Sequence, residues 1–405
     1  MSDSSPSSSN NGAPAPAGDQ DTTPTLEEAQ RRARERVNAA LIASDASTGK
    51  KRKASDADDD EGTYQWYGRN LARSCGVFTR IHTIVEYGVK TELAALDGED
   101  EHPPLTAEEK RLWDSWEIIK NTIPGFGDDM IDLGGDVKLR KAACAKVQHG
   151  LKGGRGDDCG SLKTEIIDYL LPPPPPPPPG EKPSLPVLTP PIPKRGKKAP
   201  RGMNHPVTAA ALRPLKYPDA EETYTKIIDN DEEYPVVSSL LPAFMYPAGH
   251  PYNDNDLEDG LLDNHILRAV AKHVYQGPSS ALEKPGFSRG KAGNAALNGV
   301  TALTARDIAY IACQTRFAIS SQESWTGTDD DFSYADFYWR LVDLLAGEDG
   351  QPILDRFNFD VFGTSATKKS TAAASINVVD EFEVLQQQRA AKRARLAAAS
   401  QSAPS

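Results

Sequence analysis

The sequence has few cysteines, and their spacing gives them no shared role. Four occur among 405 residues, at Cys75, Cys144, Cys159 and Cys313, and no two of them form a CxxC pair. Structural zinc sites and disulfide-stapled folds need closely spaced or numerous cysteines, so the sequence predicts neither. Scattered thiols of this kind are typical of a reducing compartment, where they stay free.

Long apolar runs are also missing. No stretch approaches the roughly 20 apolar residues that cross a bilayer. The opening residues, MSDSSPSSSN, lack the basic and apolar regions of a secretory signal. We therefore expect an intracellular protein without a membrane contact. Its net charge of −12 argues against a surface that binds nucleic acid over its whole area.

Hydrophobic residues are sparse, at 38% of the chain with 7% aromatic, whereas proline occurs 32 times. Such a chain cannot bury enough apolar surface along its whole length. Residues 1–62, 172–200 and 366–405 are predicted to be a disordered N-terminal arm, a polyproline and basic linker, and a flexible linker with a basic helix and tail. Residues 63–171 and 201–365 are predicted to fold as two helical parts. The expected fold class is mostly all-α, an irregular helical domain with long disordered segments.

Apolar residues spaced three and four positions apart predict most of the helices. From Leu71 to Leu96 they predict one long helix, with a break expected near Gly88. Thr106 and Glu109 form a capping box, which should begin another helix. Each of these helices presents one apolar face, so they should pack together around a core.

Two further stretches are predicted to be weakly ordered. Residues 25–43 should form a helix that is weak in isolation, because its apolar face is thin. The glycine-rich residues 153–161, GGRGDDCGS, lack the spacing and the Lys-Ser/Thr of a phosphate-binding loop. They are predicted to be a flexible turn.

The densest apolar and aromatic region lies between residues 301 and 345. Thr304 should cap a helix that is apolar almost all round, which predicts a buried central helix. Arg316 falls inside it, and a buried guanidinium needs a partner. The carboxylates considered as that partner are Asp307, Asp336 and Asp343. A second helix should follow from Ser333.

Three clusters of basic residues stand in segments that are predicted to be flexible. GKKRK and KRAR resemble nuclear import signals, and KRGKKAPR lies after the proline run. Such clusters could also contact nucleic acid, or they could be solvated charge. The candidate contact residues are Lys50, Lys51, Arg52, Lys53, Lys194, Arg195, Lys197, Lys198, Lys392, Arg393 and Arg395.

A short proline motif overlaps the second cluster. Pro190, Pro193 and Arg195 satisfy the pattern PxxPxR, which can dock in the groove of an SH3-like domain. The alternative is a stiff linker, since consecutive prolines favour the extended polyproline II conformation. Both interpretations remain open at the level of sequence.

No catalytic motif or cofactor motif is present, so we predict no cofactor. Polar residues of the loops 202–206 and 277–291 would nevertheless suit an enzyme of unrecognised type, with His205 as a base and Arg289 as an anion clamp. Together with Arg316 they form a candidate polar site. The acidic loop 252–260 fails the EF-hand calcium pattern and is predicted to be a solvated acidic loop.

Several motifs of this sequence resemble a domain of unknown function that occurs in many copies in mushroom-forming basidiomycete fungi. The matching elements are RGMNH (201–205), LPAFMY (241–246), GPSSA (277–281), IAY (308–310), RFAISS (316–321) and FY (337–338). The earlier helix at LTAEE (105–109) and the turn Pro124-Gly125 also fit. The octaproline run, Gly277 in place of serine, and a reduced Trp-Trp-Asn element depart from the pattern.

The resemblance implies no activity, and the many copies suggest an association with mobile elements. The leading hypothesis is therefore a nuclear, non-enzymatic interaction protein. Its expected partners are proteins and, through the basic arms, nucleic acid. The cytoplasm is the alternative location, and an enzyme is the alternative function.

Overall fold

The computed structural model describes residues 25–48, 62–96, 105–173, 186–288 and 292–363, together with residues 385, 388 and 389. These residues form an almost entirely helical fold, which confirms the all-α prediction. Their helices are α1 (Leu26–Thr48), α2 (Tyr64–Ser74), α3 (Ile81–Leu96), α4 (Ala107–Thr122), α5 (Phe126–Asp132), α6 (Val137–Glu165), α7 (Pro206–Leu212), α8 (Glu221–Ile228), α9 (His265–Gln276), α10 (Asn294–Leu297), α11 (Ala305–Ile319), α12 (Tyr334–Leu345) and α13 (Gln351–Phe362). The short strands β1 (Thr328–Asp329) and β2 (Phe332–Ser333) pair antiparallel just before α12. None of these helices is long and apolar enough to cross a membrane.

Helix α11 lies at the centre of the fold, and every residue in it except Ala305 is buried. Its N-terminus carries a capping box between Thr304 and Asp307, in which the Asp307 carboxylate accepts from the Thr304 backbone N–H at 2.8 Å. Both features confirm the predicted buried central helix. Because it has no exposed face, all its polar groups must find partners inside the protein.

The helices before and after the proline run share one hydrophobic core. Arg73 of α2 donates to both carboxylate oxygens of Asp158 on α6, at 2.7 and 3.0 Å. The same carboxylate accepts the hydroxyl of Tyr310 on α11 at 2.7 Å. Arg306 of α11 reaches back and donates to the carbonyl oxygen of Cys75 at 2.9 Å. These buried bonds tie α2, α6 and α11 into one unit.

Helices α2 and α6 cross closely because glycines line their contact. A Cβ at Gly150 would lie 2.1 Å from the carbonyl oxygen of Gln65, and one at Gly154 would lie 2.3 Å from that of Arg69. No side chain fits at such distances, so the crossing requires glycine. The flexible turn predicted over 153–161 is therefore wrong, because these residues belong to the unbroken helix α6.

The long helix predicted from Leu71 to Leu96 is in fact two helices. The chain leaves α2 and turns at Gly76, whose φ of 88° is readily adopted only by glycine. Gly88 does not interrupt α3. The ring of Trp116 on α4 lies against it, and a Cβ there would approach the ring to 2.2 Å.

The disorder predicted for residues 1–62 does not hold for helix α1. Its residues Ala33 and Val37 are fully buried against the rest of the fold. Arg36 adds an ion pair with Asp129 of α5 at 2.6 Å. The thin apolar face was correctly seen in the sequence, but tertiary packing stabilises the helix where local propensity would not.

The linker predicted over 172–200 also contains ordered chain, from residue 186 onward. Leu188 and Ile192 are both 6% exposed, so they anchor this segment on the core. Two apolar residues among prolines gave no periodic signal, because the segment is neither a helix nor a strand.

The close crossing of α2 and α6 at their glycines can be tested by substitution. We expect Gly154→Ala to lower the free energy of unfolding by about 1–3 kcal/mol, because the added methyl group must push α2 away from α6. Gly156→Ala is the matched control. A Cβ at Gly156 meets nothing within 4 Å, so this change should stabilise α6 by about 0.5–1 kcal/mol. Urea unfolding of both variants measures the difference, and equal effects would contradict the close crossing.

Candidate functional site

The basic run 194–201 holds both exposed and buried cations. Lys194, Arg195 and Lys197 are exposed, and Lys194 pairs with Asp168. Lys198, in contrast, is only 1% exposed. It is therefore not placed for the predicted contact with an import receptor or nucleic acid, because the core encloses its ammonium group.

Lys198 and the nearby Arg201 hold the C-terminal end of α11. The Lys198 Nζ donates to the carbonyl oxygens of Phe317 and, at 2.6 Å, of Gln322. Arg201 donates to the carbonyl oxygen of Ala318 at 2.8 Å. The last carbonyls of a helix lack partners within the helix, and they carry the negative end of its dipole. The two basic side chains satisfy them inside the core.

Arg201 performs the same task for a second helix. Its other terminal nitrogen donates to the carbonyl oxygen of Lys163, in the last turn of α6, at 2.5 Å. Burial, followed by the neighbouring Arg201 guanidinium, lowers the pKa of Lys198 to about 7. Both are thus structural donors: Arg201 joins the ends of α6 and α11, and Lys198 binds the end of α11 and the chain that follows it.

His205 is buried, at 2% exposed, and both of its ring nitrogens are occupied by backbone. Its Nε2 lies 2.7 Å from the carbonyl oxygen of Pro190, and its Nδ1 accepts from the N–H of Val207 at 3.1 Å. The second bond makes His205 the N-cap of α7. The His205 ring therefore holds the chain at Pro190 against the fold. This is a structural role, and it leaves neither ring nitrogen free to act as a base.

Arg316 is 3% exposed, which agrees with the predicted burial of its helix. Its partner, however, is not one of the three carboxylates that were predicted. It pairs with Asp329 of β1 at 2.5 Å and donates to the hydroxyl of Tyr334 at 3.1 Å. Its guanidinium also stacks on the ring of Phe332, 3.6 Å from the centroid. The expected partners are engaged elsewhere: Asp307 with Thr304 and Tyr275, Asp336 with Ser238 and Arg340, and Asp343 with Arg111.

The Arg316–Asp329 pair lies beside a cleft of about 410 Å³. Two loops form its acidic rim, with Asp231 and Glu232 on one side and Asp330 and Asp331 on the other. The rest of the wall is mostly apolar or small, and comes from Leu212, Ile227, Ile228, Val236, Met203 and Gly202. The lining residues contain five carboxylates and one guanidinium, which leaves a net charge of −4. We define this feature as the acidic cleft.

The sequence contains no signal for this cleft. Its two loops are about a hundred residues apart in the sequence, one after α8 and the other between β1 and β2. Of the predicted polar site, Arg316 lies at the cleft and the 202–204 loop lines it, whereas His205 faces the backbone. Arg289 falls outside the described residues, so its place in such a site stays a prediction.

A second polar cluster joins α6 to α9. His273 lies 2.8 Å from the hydroxyl of Ser161 through Nε2, and 2.9 Å from that of Tyr169 through Nδ1. Burial lowers the pKa of His273 to about 4, so its ring is neutral at pH 7. A serine hydroxyl within hydrogen-bond distance of a histidine ring resembles part of a hydrolytic triad. Ser161 lies within α6, however, where the backbone N–H groups bond to the preceding turn and cannot stabilise an oxyanion.

The other predicted contact residues lie outside the part of the chain that the structure describes. They are Lys50, Lys51, Arg52, Lys53, Lys392, Arg393 and Arg395. The proline motif is described: Pro190, Pro193 and Arg195 are exposed, while Ile192 anchors the segment. Docking of an SH3-like domain there remains a prediction. Within the described residues, no three His, Cys, Asp or Glu side chains converge to hold a metal ion.

The buried position of Lys198 leads to a prediction about stability and pH. Lys198→Met should lower the free energy of unfolding by about 3 kcal/mol, because two carbonyls lose their donor. In the unfolded chain the pKa of a lysine is about 10.4, and in the fold that of Lys198 is about 7. Between these values the unfolded state binds the extra proton, so the Lys198 contribution to stability rises with pH.

The difference in unfolding free energy between the wild type and the variant should therefore grow from pH 7 to pH 10. Urea unfolding at several pH values measures it. Other groups that titrate in this range are common to both proteins and cancel in the difference. A difference that stays constant with pH would contradict the assignment.

Comparison with known proteins places most of this fold in one family. A model described as a family of unknown function (DUF6698) matches residues 149–362. No curated protein and no solved structure matches the chain. The match starts inside α6 and includes α11, the acidic cleft and the basic run 194–201. The chain therefore belongs to the DUF6698 family of unknown function.

Proposed function

We propose that this chain is a non-enzymatic interaction protein whose acidic cleft receives a basic segment of a partner protein. The observation that carries the proposal is the net charge of −4 around the cleft. Asp330 and Asp331 are exposed on the rim, so they remain free to pair with incoming cations. Complementary charge of this kind steers association and selects the partner.

The apolar wall of the cleft supports the same class of ligand. Lysine and arginine carry aliphatic stems below their charged heads. Ile228 is 52% exposed at the cleft, so its side chain is accessible to an incoming segment. A segment with basic residues could lay its stems on this wall while its charges reach the carboxylates. A cation without an aliphatic stem would leave the apolar side chains of the wall exposed to water.

The alternative of an enzyme has less support from the described residues. His205, its candidate base, is engaged with backbone on both nitrogens. Arg316 is paired and stacked, so its charge is already balanced by Asp329. These residues stabilise the walls of the cleft instead of offering reactive groups within it.

We further propose that the protein acts in the nucleus, with its basic clusters as import signals or nucleic-acid contacts. The support is their sequence: GKKRK and KRAR concentrate cations in an otherwise acidic chain. Because Lys198 is buried, the middle cluster has fewer cations available for a partner. The outer two clusters are therefore the better candidates for import or nucleic-acid binding. An expansion of the family in basidiomycete fungi and a link to mobile elements remain part of this proposal.

Peptide binding tests the acidic cleft. We expect a fluorescent peptide rich in lysine and arginine to bind the full chain, and Asp330→Asn/Asp331→Asn to weaken it about tenfold. Asparagine keeps the shape and tolerates the φ of 51° at Asp330. The matched control is Glu108→Gln/Asp128→Asn, which removes two exposed carboxylates outside the cleft. Equal affinities for both variants would mean that the peptide responds only to the net charge of the protein, and would contradict binding in the acidic cleft.

Reporter fusions test the nuclear part separately. Residues 45–62 and 385–400 should each carry a reporter into the nucleus, and 190–201 is fused to the same reporter for comparison. Fluorescence microscopy gives the distribution. A cytoplasmic signal from all three fusions and from the intact chain would contradict nuclear import, and it would leave the cleft proposal unaffected.

A further inference from the structure

The outer side of helix α6 carries a line of cations. Residues three and four positions apart share one face of a helix. On α6 this spacing joins Lys138, Lys141, His149, Lys152 and Lys163, with alanine or glycine at 145, 156 and 160. All these residues except Lys163 are fully exposed, and none of them is acidic. We define this face as the basic stripe.

The lysines of the basic stripe are available to a partner. Lys138, Lys141 and Lys152 form no ion pair with another described residue. Carboxylates beside the stripe are matched by other cations. Asp45 pairs with Lys146, and Asp157 pairs with Arg69. The stripe therefore presents positive charge that the described residues around it do not balance.

Two further cations continue the basic stripe at the C-terminal end of α6. Lys163 pairs with Glu323 at 2.9 Å, and the other oxygen of that carboxylate accepts the backbone N–H of Lys198. The preceding residue, Lys197, therefore lies close to the last lysine of the stripe. Arg195 and Lys197 are exposed, and neither forms an ion pair with another described residue.

We propose that the basic stripe, together with Arg195 and Lys197, binds the phosphate backbone of a nucleic acid. A nucleic acid carries regularly spaced negative charges along its length. The stripe offers a matching line of cations that runs about 37 Å along α6. The alanine and the glycines between the lysines leave room for a phosphate backbone to approach closely.

An acidic protein is the competing occupant, and the composition of the stripe argues against it. Specific protein interfaces rely on buried aromatic and apolar anchors, whereas the stripe has no apolar side chain larger than alanine. Contacts to phosphates carry no base sequence, so we expect binding that is independent of sequence and sensitive to salt. The stripe belongs to the folded core, and its role does not rest on the acidic cleft or on the import clusters.

Binding of a labelled duplex DNA of about 20 base pairs tests the basic stripe, measured by fluorescence anisotropy with the full chain from about 50 to 200 mM salt. Lys138→Gln/Lys141→Gln/Lys152→Gln should weaken binding about ten- to thirtyfold at the lowest salt. It should also reduce the slope of log Kd against log salt by about 2–3, because fewer counterions are released. Glutamine has a good helix propensity, and thermal unfolding confirms that the variant is folded.

The matched control is Lys90→Gln/Lys216→Gln/Lys284→Gln, which removes the same charge from exposed lysines on other elements. Both variants keep the basic clusters at 50–53 and 392–395. The control should bind the duplex within about twofold of the wild type, because distant charges are screened. Equal losses in both variants, or no binding by the full chain, would overturn the proposal. A polyglutamate peptide that displaces the duplex as well as unlabelled DNA does would also overturn it, by pointing to an acidic protein.

Discussion

The fold depends on one constraint, which is that α11 has no exposed side. The free N–H and C=O groups at its two ends must therefore be satisfied by protein rather than by water. At the N-terminus the carboxylate of Asp307 bonds to Thr304 and accepts the hydroxyl of Tyr275 at 2.5 Å. At the C-terminus the donors are Lys198 and Arg201. This need explains why Lys198 and Arg201 are buried although the rest of the run 194–201 is exposed.

Two groups of basic residues in the chain have different physical roles. One group is buried and donates to backbone carbonyls: besides Lys198 and Arg201, Arg306 serves the end of α2, and Lys272 serves the carbonyls of Glu283 and Lys284 at 2.8 and 2.7 Å. The other group comprises the basic clusters, of which the exposed Lys194, Arg195 and Lys197 are described and the outer two lie outside the described residues. Composition alone does not separate them, because a lysine that caps a helix and a lysine that binds a partner look the same in sequence.

Local signals in the sequence predicted the parts of the fold that depend on near neighbours. The capping box predicted at Thr106 and the N-cap predicted at Thr304 were correct because each bond spans three residues. The partner of Arg316 was wrong, since it comes from a two-residue strand that has no pattern of its own. The glycines of α6 were taken for a turn because their purpose, the approach of α2, depends on residues about 85 positions away. The acidic cleft was missed for the same reason: loops distant in sequence form it.

The central claim is that the helices on both sides of the proline run form one cooperative unit around α11. Hydrogen exchange of the full chain in increasing urea tests it directly, because amides that open together share one free energy of opening. The account predicts that the slowest amides of α2, α6 and α11 converge on the same global value. Exchange of α2 at a clearly lower free energy, while α11 stays protected, would show two separate units and contradict the claim.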